Sequence, residues 1–411
     1  MKKTLLIAAM ASAALVSCSK DQVVEVQQDE IKFSVVADNA TKAAHVYSTT
    51  YHMDAFTVAA DYNSKVYITG DEMSVTSVSN VTNTDPTVKR YWPAVSETKP
   101  VTFYAVADGD FVTSPARVAD AVPTVSYTVE ETVASQKDLL YAATKVTEKG
   151  SGSVTLNFRH ALSLIEFKAK CTNKNLKVVV TGVKVGNVEN TGVFTFPKDN
   201  QNKMIATDGN ITENPDDVGK DNPTGVGTWN NTVASTNYYT VEFDAVNVIR
   251  QDPEVVQPLT YRNYSAGTYD NATPANNSAK SMILLPQTLN NPWDPSTGNL
   301  TSGSYLGVQC CIYNVENGVE TLLYGTDNGD ETFTGKWAYM PLGAVSSSPV
   351  WEPGKKYVYT FDFGTGNGGY DDTGNPVLTP IAYTLTIDDF DAFDPDAGDG
   401  NETIDTEMEM E

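Results

Sequence analysis

The chain has 411 residues, with 52 Asp and Glu against 28 Lys and Arg and a formal net charge of −24. A surface this acidic repels phosphate backbones and anionic headgroups, which argues against nucleic-acid binding and polybasic membrane adsorption. Hydrophobic residues at 40% suffice for buried cores, three histidines leave little for imidazole catalysis or metal centres, and 21 Tyr, 28 Gly and 20 Pro favour strands and turns over helix bundles.

Lys2 and Lys3 open a positive n-region, and Leu5 to Val16 form an apolar h-region too short to span a bilayer of roughly 30 Å. Leu15-Val16-Ser17-Cys18 follows, with a small residue directly before cysteine. That is the lipobox pattern: cleavage falls between Ser17 and Cys18, and the Cys18 thiol accepts diacylglycerol. An ordinary secretory signal with an incidental cysteine is the competing reading. Several acyl chains give stable anchoring at about 0.8 kcal/mol per buried CH₂. Residues 1–17 are thus read as a signal peptide, residues 18–29 as a lipidated polar tether, and the mature chain as exported from the cytoplasm.

Period-two alternation then dominates. Ile31, Phe33 and Val35 alternate with Lys32 and Ser34, and Val101, Phe103 and Ala105 repeat the pattern. Residues 135–145 fit either a helical turn or the entry to a strand. The Gly- and Ser-rich passage Glu148 to Ser153 marks a boundary, giving an N-terminal domain over 30–150 and a C-terminal domain over 151–393. Within the second, residues 207–235 and 265–279 are polar and read as loop insertions. Ile165, Phe167, Ala169 and Cys171 share one strand face, as do Tyr239, Val241 and Phe243.

In Leu306, Val308, Cys310 and Ile312 the alternation points Cys310 to a core and Cys311 to the opposite side. With Cys18 lipidated, Cys171, Cys310 and Cys311 remain, an odd number without C-x-x-C spacing, which argues against zinc. A Cys171–Cys310 disulfide and a pair of buried thiols both fit. Tyr357 to Phe363 and Ile381 to Ile387 make the two clearest strands, joined by GTGNGGYDDTGNPVLTP, read as a long hairpin loop. The acidic residues 394–411 lack apolar periodicity and read as a disordered tail. Many short strands with turn signals predict an all-β chain of antiparallel sandwiches.

Candidate chemistry is sparse. Gly364 to Gly369 matches G-x-G-x-x-G, but Tyr370-Asp371-Asp372 and Asn375-Pro376 follow where a nucleotide site needs a helix N-terminus. There is no G-x-S-x-G elbow, and His160 sits in an alternating strand. Acidic clusters at Asp327/Asp330/Glu331, Asp371/Asp372 and Asp388 to Asp399 do not satisfy the EF-hand loop. No metal, cofactor or catalytic residue is assigned. Trp92, Trp337 and Trp351 could stack on sugars if exposed, yet each lies beside a strand-like segment, where packing is expected.

Several segments together resemble the fimbrillin family of Bacteroidales, the lipoprotein subunits of strand-exchange pili. They are the lipobox at Cys18, DLLYA at 138–142, VTLNFRHALSLIEF at 154–167, MILLPQ at 282–287, WEPGKKYVYTFDF at 351–363 and PIAYTLTIDDF at 380–390. The resemblance implies two tandem transthyretin-like antiparallel β-sandwiches of Greek-key type and a non-enzymatic subunit of a surface fimbria. It also implies export to the outer membrane, held there by lipid on Cys18, and a role in adhesion to host or bacterial surface ligands. Assembly in such proteins follows proteolytic removal of the first strand, whose groove a strand from another fimbrial subunit then fills. Here the displaceable strand would be Glu30 to Ala37, with Ile31, Phe33 and Val35 inward, and Lys42 the candidate processing site. No arginine lies between Cys18 and Lys89, a departure from Arg-specific processing that suits a lipid-tethered anchor or cap. The alternative is a surface lipoprotein that captures glycans on its sandwiches.

Overall fold

The computed structural model describes residues 29–37, 53–77, 79–93, 100–112, 121–146, 152–197, 227–231, 237–250, 254–260, 281–289, 291–327, 333–343, 350–389 and 404–406. Apart from two single turns of 3₁₀ helix, the regular structure of these residues is β. The alternation explains why: most strands place every second residue in a core and the next toward water.

The first half supplies Phe33–Ala37 (β1), Ala55–Tyr62 (β2), Lys65–Ser77 (β3), Asn80–Asn83 (β4), Val101–Ala107 (β5), Thr124–Thr128 (β6), Leu140–Val146 (β7) and Val154–His160 (β8). Seven of these form one sheet in the order β1-β8-β7-β5-β2-β3-β4. Every pairing in it is antiparallel except β1 with β8, which run parallel. Leu140 begins its strand where 135–145 was open to two readings, after a short turn at Val133–Ser135. One core buries Phe33, Phe56, Val58, Phe103, Trp92, Leu156 and Phe158.

The second half begins with Ser163–Cys171 (β9), Leu176–Gly186 (β10), Thr191–Thr195 (β11), Thr228–Asn231 (β12), Tyr238–Ile249 (β13), Gln257–Pro258 (β14), Met282–Leu284 (β15) and Gln287–Thr288 (β16). It continues with Tyr305–Glu316 (β17), Val319–Tyr324 (β18), Thr326–Asp327 (β19), Phe333–Thr334 (β20), Lys336–Pro341 (β21), Val350–Trp351 (β22), Lys355–Tyr370 (β23), Pro376–Asp389 (β24) and Ile404–Thr406 (β25). An eleven-stranded sheet runs β13-β10-β17-β21-β23-β24-β25, with β9 beside β23, β14 and β15 beside β9, and β18 beside β17. It doubles over at β23, whose first half pairs with β9 and whose end, Tyr370, meets Tyr339 of β21. Both layers therefore face one core, where Phe167 and Phe361 lie opposite Val180 and Val308.

Three expectations bear on particular strands. The segment read as a long hairpin loop is mostly strand: β23 continues to Tyr370, and only 371–375 turn. Its glycines mark the corner where the strand changes layers. Gly366 has φ +80, and a Cβ there would lie 2.6 Å from the Cβ of Ala382. β8, beyond the boundary expected at 150/151, belongs to the first sheet, and the change of sheet falls between His160 and Ser163. β7 and β8, on either side of the Gly- and Ser-rich passage, pair antiparallel in one sheet. Third, Ile404–Thr406 pairs antiparallel with Leu385–Ile387, so the tail expected to be disordered contributes one short strand; Ile404 and Thr406 are β-branched and suit it.

The halves share a small sheet, β12-β11-β6, since β6 of the first half pairs with β11 of the second. Trp229 of β12 lies inside the stretch read as an insertion, yet it packs on Phe194 at 5.4 Å and donates its indole N–H to Ala161 O at 2.6 Å.

Candidate functional site at the first strand

Ile31, Phe33 and Val35 turn to one side and are all buried, Val35 completely, while Lys32 is exposed. Phe33 meets Phe103 edge-on with centroids 5.5 Å apart, and Trp92 meets the same ring at 6.0 Å. Such edge-to-face contacts add to the gain from area buried.

Two backbone edges grip the segment. On one side β1 runs parallel to Val154–Phe158, with Phe33 opposite Val154 and Val35 opposite Leu156, and the Val154 N–H donates to Lys32 O at 2.7 Å. On the other, residues 29–31 meet residues 90–92. The Ile31 N–H donates to Arg90 O at 2.8 Å, and the Trp92 N–H to Asp29 O at 2.9 Å. Glu30 and Tyr91 form the antiparallel bridge between them. Residues 29–31 are thus clasped by 90–92, and β1 continues along β8 at the edge of the sheet.

The 90–92 strip is itself anchored. The Arg90 guanidinium makes a two-point contact with Asp71 of β3, Nε to Oδ2 at 2.7 Å and Nη2 to Oδ1 at 2.8 Å. Asp71 is buried, and planar pairing of this kind fixes direction as well as charge. The Tyr67 hydroxyl donates to the Tyr91 carbonyl, and burial pushes that phenol above its ordinary pKa although the Arg90 charge opposes the shift.

Withdrawing residues 29–37 would empty a groove lined by Phe103 and Trp92 and strip hydrogen bonds from two edges. Re-exposing three apolar side chains costs about 5–8 kcal/mol, an upper figure for an extended reference chain. Unpaired edges beside an apolar cleft are a template for another strand.

Ser17, Cys18 and Lys42 lie outside the described residues. The clasp at 90–92 escaped sequence reasoning: Arg90-Tyr91-Trp92-Pro93 carries neither alternation nor a motif, and its pairing with residues 29–31 is long-range. Its one signal was a Trp in a polar, Pro-flanked stretch.

The other chemical candidates have structural settings. His160 Nδ1 pairs with Oδ2 of the buried Asp138, which joins the start of β7 to the end of β8. Asp138 is 22 residues away, so no local spacing announced it. Cys171, Cys310 and Cys311 are buried thiols, not joined in a disulfide, and burial pushes the Cys171 and Cys310 thiols up, away from nucleophilic thiolate. Cys310 faces the main core and Cys311 a separate cluster with Val179 and Tyr313, on opposite sides of the sheet. Slight burial raises the Asp371 carboxyl, but hydrogen bonds from Thr373 and Asn375 outweigh it and hold the group below its ordinary value. The Asp371 oxygens serve the turn. Among the described residues no group of three or more His, Cys, Asp or Glu could hold a metal ion. Asp330, Glu331 and Asp391 to Asp399 lie outside them.

A family model described as fimbrillin-like matches residues 36–387. A search of curated proteins finds no match. Among solved structures, a candidate cell adhesion protein from Bacteroides uniformis is similar at TM-score 0.44 and 13% identity, covering 88% of this chain and 99% of its own. A candidate cell adhesion protein from Bacteroides ovatus gives 0.39 and 14%, covering 89% and 99%. The fimbrial anchor protein Mfa2 from Porphyromonas gingivalis gives 0.31 and 8%, covering 88% and 98%.

Proposed function

The chain belongs to the fimbrillin-like family, and on that premise we propose that it is a non-enzymatic subunit of a cell-surface fimbria, serving adhesion. It is exported as an outer-membrane lipoprotein modified at Cys18, built as two tandem transthyretin-like sandwiches, and joined to other fimbrial subunits by strand exchange. The supporting observation is the setting of residues 29–37: an edge strand along β8, clasped at its start by the 90–92 strip, with Ile31, Phe33 and Val35 in the core. A strand so placed forms the edge of the first sheet, and its loss would leave a cleft shaped for an equivalent strand.

Cleavage at Lys42, just past β1, would cut the fold from its lipid and free the strand in one step. Without that cut the strand stays and the chain remains tethered, as an anchor or cap requires. Limited trypsin digestion of the mature protein separates the roles. For a stalk subunit, a clip after Lys42 yields a ladder of oligomers that lengthens with concentration. A clipped chain that stays monomeric at every concentration eliminates the stalk role.

A further inference from the structure

A second surface stands apart from β1, on the outward face of the eleven-stranded sheet. There the adjoining strands β10 and β17 carry glycine at 182, 186 and 307, where side chains would otherwise project. Aromatic rings occupy the space. A Cβ on Gly307 would lie 3.2 Å from Cε3 of Trp337 and 3.3 Å from Cδ1 of Tyr339, and one on Gly182 would lie 3.3 Å from Cη2 of Trp337. Trp337, rooted on β21, therefore reaches across β17 to β10. Tyr339 runs beside it, with centroids 6.5 Å and planes 23° apart.

One end of this stripe is closed by the fully buried Trp293, which packs on Tyr339 at 6.2 Å. The other end is open. Tyr238, at the start of the outer strand β13, is 60% exposed. Between the open ring and the indole sits the Lys184 ammonium, 4.7 Å from the Tyr238 centroid and 4.2 Å from that of Trp337. Among the described residues the Lys184 ammonium makes ring contacts and touches no carboxylate, although Glu242 lies near enough to be felt. Burial lowers its pKa, so this cation is short of solvent. In a chain of net charge −24, a cation so held is open to an anion from outside.

We propose that Tyr238 and Lys184, with Trp337 holding the ammonium from the other side, form a site for a carboxylate-bearing pyranose, an acidic saccharide unit, with its C–H face on the exposed Tyr238 ring and its carboxylate at Lys184. The rings are amphipathic surfaces with an apolar face and, in Tyr238, a polar tip, as a sugar ring requires. A single cation serves one carboxylate but is too few for a nucleic-acid backbone. A protein partner would need roughly 800 Å² of contact per side with an apolar centre, whereas Tyr238 is the only large hydrophobic here that is exposed. The site is independent of strand exchange, since it shares no residue with β1 or its groove.

Saturation-transfer NMR and titration on the mature, unclipped chain test it, with trigalacturonate and sialyllactose as acidic probes and maltotriose as the neutral one. The expected result is transfer to ring protons of at least one acidic probe and binding of maltotriose at least about tenfold weaker. Tyr238→Ala and Lys184→Gln should each weaken acidic binding by about tenfold or more, with unchanged circular dichroism. Val319→Ala, an exposed apolar side chain on β18, should leave binding intact. Tyr238 is exposed enough that its removal spares the fold. Absence of transfer from both acidic probes, equal affinity for maltotriose, or unaltered affinity in both variants would overturn the proposal.

Discussion

At the scale of single residues, Phe33 concentrates the argument. It is buried against Phe103 and sits in a strand only five residues long, so few other contacts can compensate for its loss. Phe33→Ala should cost about 3–5 kcal/mol of stability, while Lys32→Ala, exposed one position away, should stay within about 0.5 kcal/mol. Denaturant midpoints of the first sheet measure both, and equal midpoints would mean that β1 is not part of the core. Inward positions such as Ile31, Phe33, Val35 and Cys310 were legible because alternation is a local property of the chain. Asp138 beside His160 and Arg90 beside Asp71 were not, since polar pairs far apart in the chain leave no trace in spacing.

Elements were legible in kind and less so in partnership. Sequence alternation located strands such as β1, β5, β9, β17, β23 and β24, but the parallel course of β1 on β8 depends on which edge the fold leaves open. The glycines at 364–369 show the limit well. A run of glycine marks positive φ without distinguishing a loop from a strand corner, and here it is the corner where β23 changes layers. Gly366→Val forces a side chain into the space of Ala382 at a φ that valine resists. The variant should lose about 1–3 kcal/mol, read as a lower denaturant midpoint with an unchanged slope. A free loop at 364–369 would tolerate the change. The Gly- and Ser-rich stretch did not mark the change of sheet for the same reason: turns inside a sheet and linkers between domains use the same residues.

Across the whole molecule, the fold joins two unequal sheets through the shared strands β6 and β11, and the proposed function attaches a lipid at one end and an exchangeable strand next to it. Cys18→Ala should abolish labelling by radioactive palmitate and release the chain from the membrane fraction; a chain that stays membrane-bound and labelled would refute lipidation at Cys18. The family itself was legible from scattered strand patterns, because those patterns encode which faces are buried. The proposed route of assembly came from the resemblance alone, since it would use a cleft that opens only when a strand leaves. The most direct test therefore uses a chain that begins at Ala43 and a fluorescent peptide of residues 30–37. The account predicts that this chain is less stable than the mature protein and takes up the peptide saturably, with recovery of stability. It also predicts no uptake of a peptide carrying Phe33→Asp and Val35→Asp. A chain from Ala43 that is as stable as the parent and ignores both peptides would contradict it.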